Sequence, residues 1–133
     1  MDNPYILDCR KLEVYRVTLE FVAHARLVIK SIPKGNSDLS NQFKRASSSI
    51  LLNTAEAAGK TGKSDKQRFY SIARGSAMEC AAILDLLLLL ELVQPKDVAK
   101  LNDLLERIVA MLSKLCWSNF GHRESAGARA SAG

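Results

Sequence analysis

A chain of 133 residues, 47% hydrophobic and 25% charged, suits one domain and is too short for two of ordinary size. Its three cysteines, Cys9, Cys80 and Cys116, stand far apart and lack metal-ligand spacing, which excludes a disulfide-stapled mini-protein and a zinc module. A net charge of +5 makes polyanions natural partners.

Apolar residues recur at steps of three and four through most of the chain, and no window alternates long enough for a strand. The expected class is therefore all-α. The first helix is predicted from Asp8 to Ile32, with Leu12, Tyr15, Leu19, Val22 and Ile29 on its buried stripe, and Pro33 stops it. After the turn Pro33-Lys34-Gly35-Asn36, Ser37 or Asp38 caps a second helix whose seam is Leu39, Phe43, Ala46, Ile50, Asn53 and Ala57. Gly59 and Gly62 mark the next turn, and Ser64-Asp65-Lys66-Gln67 has the form of a capping box opening helix three. That helix is expected to reach Glu91, its core side being Phe69, Ile72, Ser76, Cys80, Ile83, Leu87 and Leu90. Pro95 opens a fourth helix carrying Val98, Leu101, Leu105, Ile108, Leu112 and Leu115, up to Trp117. Short turns between four helices give an antiparallel up-down four-helix bundle. The domain is placed at residues 1–120, and residues 121–133, rich in Gly, Ala and Ser, are read as a flexible tail.

The start, Met-Asp-Asn-Pro-Tyr, lacks the basic-then-apolar pattern of a signal peptide. The most apolar stretch, Ile83 to Val93, is interrupted by Asp85 and Glu91 and falls short of the ~20 residues that span a bilayer. A cytoplasmic protein with no membrane partner is expected. Neither His24 nor His122 has a partner at metal or triad spacing, and no paired carboxylates or cofactor loop can be assembled. No enzyme, no metal and no cofactor are expected. Ala57 to Ser64 ends like a phosphate-binding P-loop, but alanine stands where the motif needs glycine, and a helix precedes it where a strand is required.

From Pro33 to Gly75 the chain has eight Lys or Arg against three Asp or Glu, whereas Ser76 to Phe120 has four against six. The positive charge is thus concentrated around helix two and the start of helix three. Lys44, Lys60, Lys63, Lys66 and Arg74 are the candidate phosphate contacts, and among them only Tyr70 offers an aromatic ring on which a base could stack. A hairpin folded at residues 61 and 62 sets Arg45 against Glu79 and Glu56 against Arg68, with Asn53 between them on the seam. Two cross-helix ion pairs are expected there. From Ala77 to Val93 the acids Glu79, Asp85 and Glu91 lie about a third of a turn apart, so the helix has no continuous polar face. Ala81, Leu84, Leu88 and Leu89 are then expected to meet another subunit in a homo-oligomer.

Several strings have a more specific meaning when taken together. They are Leu12-x-Val14-Tyr15, Ile32-Pro33-Lys34, Gln42-x-x-Arg45-Ala46-x-x-Ser49-Ile50-x-x-Asn53-x-Ala55-Glu56, Arg68-Phe69 and Ala73-Arg74-Gly75-Ser76-Ala77-x-Glu79. Over about Arg10 to Leu115 the chain resembles the small four-helix-bundle proteins encoded in intervening sequences of bacterial 23S ribosomal RNA genes, relatives of the diversity-generating retroelement accessory protein. It departs from their pattern at Thr54, commonly aliphatic, and at Ala57, commonly glycine. The resemblance implies an up-down bundle in a ring-shaped homopentamer and, in the retroelement relatives, a basic surface that binds nucleic acid and a reverse transcriptase. Two functions follow as expectations: a binding protein for RNA or DNA, within a ribonucleoprotein, or a protein-protein adaptor whose charge serves solubility.

Overall fold

The computed structural model describes the backbone of residues 6–131 and the side chains of residues 6–117. A 3-10 turn (Asp8–Lys11) leads into α1 (Glu13–Ser31), α2 (Ser37–Gly59), α3 (Lys63–Leu89) and α4 (Pro95–Ser131). The expected tail at residues 121–133 lies outside the described side chains. Each helix packs on its neighbours in sequence, α1 also packs on α4, and the α2–α3 pairing is the most extensive. Across α3 and α4, Arg74 meets Ser113 and Ser71 meets Cys116, so one index rises as the other falls and the two helices are antiparallel. The same holds for α2 and α3, where Ser49 meets Ser76 and Lys66 reaches Ala57 and Ala58.

The buried stripe of α1 is Val14, Val17, Thr18, Phe21, Ala25, Val28 and then Ile32. This corrects the expected stripe: Tyr15 and Val22 are half-buried and Leu19 is exposed. Helix one also starts later than expected, because Leu12 is extended (φ −85°, ψ 130°) and is not a helical residue. Both stripes have three-four spacing. Phe21 decides between them, meeting Phe43 of α2 edge-to-face at 6.3 Å. In α3 the core side is Tyr70, Ala73, Ala77, Cys80, Ile83, Leu84 and Leu87. Its first half is therefore rotated by one residue from the expected face, leaving Ile72 exposed and Phe69 half-buried. Small buried side chains on both helices, Ala73 and Ala77 of α3 and Ala46, Ala57 and Ala58 of α2, permit close approach of the two axes. The seams of α2 and α4 match expectation at Phe43, Ala46, Ile50 and Ala57, and at Val98, Leu101, Leu105, Ile108 and Leu112.

The turns follow from local chemistry. Gly35 has φ +102°, a left-handed conformation in which a side chain would be strained. Asn36, not Ser37 or Asp38, is the residue before α2, and its amide donates to the Pro33 carbonyl at 3.0 Å. The expected capping box does not form: Gly62 precedes α3, and Ser64 is already inside the helix. The carboxyl end of α3 closes with Leu92 N–H donating to the Leu87 carbonyl and Glu91 N–H to that of Leu88, both at 3.0 Å, with Glu91 at φ 56°. Thr18 and Thr54, both fully buried, donate to the carbonyls of Val14 and Ile50 one turn back, each at 2.7 Å. Among the described residues no helix is long and apolar enough to cross a membrane.

Candidate functional site

The charged side chains of the α2–α3 turn satisfy one another locally. Glu56 pairs with Lys60 at 3.4 Å and Arg68 lies 3.9 Å from Asp65, both within their own helices or their ends, so the expected Glu56–Arg68 bridge is replaced. Nearer partners one turn away need less side-chain ordering than a cross-helix reach. Lys60 and Arg68 both lie over the Phe69 ring, at 5.2 and 4.8 Å. Lys66 is a structural residue: its Nζ donates to the carbonyls of Ala57 (3.2 Å) and Ala58 (3.0 Å), satisfying the end of α2. Among the described residues, Lys63 alone of these cations has no such contact. The segment from Ala57 to Ser64 thus links two helices, the first of which is capped by Lys66 from just beyond it.

The hairpin register itself agrees with expectation, since Ser49 Oγ and Ser76 Oγ are 2.8 Å apart and Asn53 Nδ2 donates to Ser49 Oγ at 3.0 Å. One turn below, Arg45 and Glu79 are exposed, and among the described residues neither forms an ion pair. Glu79 does not lie on the core side, because α3 is rotated toward Ala77 and Cys80 there.

The candidate phosphate contacts fall in three places. Lys60, Lys63 and Lys66 sit at the α2–α3 turn, and Arg74 faces α4, where its Nε donates to Ser113 Oγ at 2.7 Å. Lys44 is about 24 Å along α2 from Lys60. There it joins two residues that sequence reasoning passed over, Arg26 and Lys30 of α1. With Val22, Ile29, Ser47 and Ser48 they line a groove of about 350 Å³ between α1 and α2 that contains no carboxylate. Their signal was available: Arg26 and Lys30 are one turn apart off the buried stripe, and a hairpin at Pro33 to Asn36 turns them toward Lys44. Three like charges along one concave surface favour an anionic chain over a single small ion, while the Ser47 and Ser48 hydroxyls are already donated to the Lys44 carbonyl. Tyr70, the expected stacking ring, is only 4% exposed and belongs to the core.

The two groups with shifted ionisation, Cys80 and Tyr70, are both held more firmly protonated than usual. Burial, and secondarily the Glu79 charge, pushes the Cys80 thiol up to about 12, and burial and Cys116 raise Tyr70. Among the described residues no group of three or more His, Cys, Asp or Glu is placed to hold a metal. Because the unfolded thiol ionises near 9.0 and the folded one near 12, stability is intact below about pH 9 and declines as pH rises between these values. Urea unfolding at pH 10 is expected to show a stability lower by roughly 1 kcal/mol from this group, and Cys80→Ala should flatten that pH dependence.

A family profile described as "23S rRNA-intervening sequence protein" matches residues 10–114. The fold is also that of the crystal structure, at 1.70 Å resolution, of a protein of unknown function from the S23 ribosomal protein family of Bacteroides thetaiotaomicron VPI-5482. The two align with a TM-score of 0.72 and 24% identity over 77% of this chain and 94% of the other. No curated protein matches the chain significantly.

Proposed function

The chain belongs to the 23S rRNA-intervening sequence protein family, and from that premise we propose that it is a non-enzymatic, cytoplasmic homo-oligomer that binds RNA or DNA through a basic surface. The observation that carries this reading is the α1–α2 groove, where Arg26, Lys30 and Lys44 line one concavity with no acid among them. Contacts of this kind bind the phosphate backbone and carry little sequence information.

Assembly supplies the strength. The outward side of α3 presents Met78, Leu86 and the 78% exposed Leu89, with Leu90 just past its end, exposed apolar side chains around Asp85 that suit a second copy. Five copies, the number implied by the family resemblance, would repeat the groove around a ring and engage one polyanion many times, gaining on the order of a hundredfold over one copy. Leu84 takes no part in this surface, being fully buried within its own bundle, and Ala81 and Leu88 pack partly against the core.

Fluorescence anisotropy with labelled RNA and DNA across a salt series tests the reading. The logarithm of affinity is expected to fall steeply and linearly with the logarithm of salt concentration, with little dependence on sequence. A flat response from the native protein at low salt would return the chain to the protein-adaptor class, in which the charge only maintains solubility.

A further inference from the structure

Trp117 is the chain's single tryptophan, and the residue is 60% exposed on α4. An indole offers much apolar area, and leaving it in water is costly unless something covers it in use. Its surroundings indicate what would. Arg74 reaches from α3 to within 6.0 Å of the ring centroid, and its hydrogen bond to Ser113 fixes the guanidinium by one nitrogen. Among the described residues its terminal nitrogens have no partner. Ala110, Ser113 and Lys114 line an open depression of about 610 Å³ beside the ring, again with no carboxylate.

We propose that Trp117 is a stacking platform for an unpaired base of a single-stranded nucleic acid, with Arg74 and Lys114 meeting the adjoining phosphates. The proposal rests on the polyanion reading above and makes it specific, since a planar π surface between two cations selects single strands. In a duplex the base faces are already stacked on one another, whereas in a single strand every base has a free face. Small residues at positions 110 and 113 keep the approach to the indole open, and an anchored arginine loses less freedom on binding than a loose lysine.

The single tryptophan makes the site its own reporter. Intrinsic fluorescence of the full-length oligomer is followed during titration with oligo(U), oligo(dT) and a DNA duplex, beside anisotropy on the same labelled strands. Single strands are expected to quench Trp117, and Trp117→Ala to weaken their binding by about 5- to 150-fold with duplex binding unchanged. Trp117→Phe should remain within a few-fold of native, and circular dichroism should show both variants equally helical. Quenching by only one of the two oligomers identifies RNA or DNA as the source of the base. Unchanged single-strand affinity in Trp117→Ala overturns the platform while leaving the polyanion reading intact. Failure of the native protein to bind any strand at low salt removes both, and loss of oligomeric mass in Trp117→Ala would overturn the platform by assigning the indole to a subunit contact.

Discussion

Replacing Arg26, Lys30 and Lys44 together by glutamate is expected to lower polynucleotide affinity at least a hundredfold at moderate salt and to flatten its salt dependence. All three charges line one groove, so reversal removes three cations and introduces three anions where the phosphates would lie. Each lost phosphate contact reduces the slope of log affinity against log salt by about 0.9 for duplex and 0.7 for single strands, hence by roughly two to three per engaged protomer. None of the three is buried, so the thermal midpoint should barely move, since surface changes usually stay within about 0.5 kcal/mol. Reversal at Lys60 and Lys66 is the instructive contrast. Those side chains hold Glu56 and the end of α2, so their loss would disturb the turn as well as the charge. Binding that survives the triple reversal would relocate the phosphate path away from α1 and α2.

The second large effect separates folding from assembly on a single helix. Leu84→Ala removes a fully buried side chain and is expected to cost about 2 to 5 kcal/mol, a large share of the stability of a domain this size. Leu89→Lys alters a side chain that is 78% exposed, so helical content and melting should be nearly native. If the outward side of α3 forms the subunit contact, Leu89→Lys buries a charge there and the oligomer should dissociate toward monomer. Sedimentation equilibrium paired with thermal melts reads both variants. An oligomer that withstands Leu89→Lys and Leu86→Lys alike would place the contact on another helix.

The sequence disclosed the four helices because turn chemistry and three-four spacing agree, most clearly in α4, where Pro95 opens a run of large aliphatic residues on one stripe. It misdirected the reading where the buried face is made of small or polar residues. In α1 the core stripe includes Thr18 and Ala25, and in the first half of α3 it is Ala73 and Ala77, which a search for large side chains ranks below Leu19 or Ile72. The hydroxyl of Thr18 is satisfied by its own helix, a compensation that hydropathy cannot register. The candidate site was legible only in part. Lys44 and Arg74 could be named, but their partners lie across helix seams, and a charge count along the chain does not cross a seam. The Glu56–Arg68 pair failed for a related reason: the register was right, and local competitors at Lys60 and Asp65 lay closer, whereas Arg45 and Glu79 both stay in solvent without an ion pair among the described residues.

Among the described residues, the side-chain polar links between helices that are more than surface ion pairs all run through α3: Ser49 with Ser76, Lys66 with the end of α2, Ser71 with Cys116, and Arg74 with Ser113. Helix α1 is tied by the exposed Glu13–Arg107 pair at 3.6 Å, and its buried threonine bonds only to itself. The bundle is therefore energetically uneven, a laced three-helix unit with a fourth helix docked by shape. In such a molecule native-state hydrogen exchange is expected to find α1, held by apolar packing with the fewest polar ties, opening before the other helices. The groove holding Arg26, Lys30 and Lys44 lies along the α1–α2 seam that this motion would widen, so the surface proposed to meet phosphates sits on a joint without side-chain hydrogen bonds across it among the described residues.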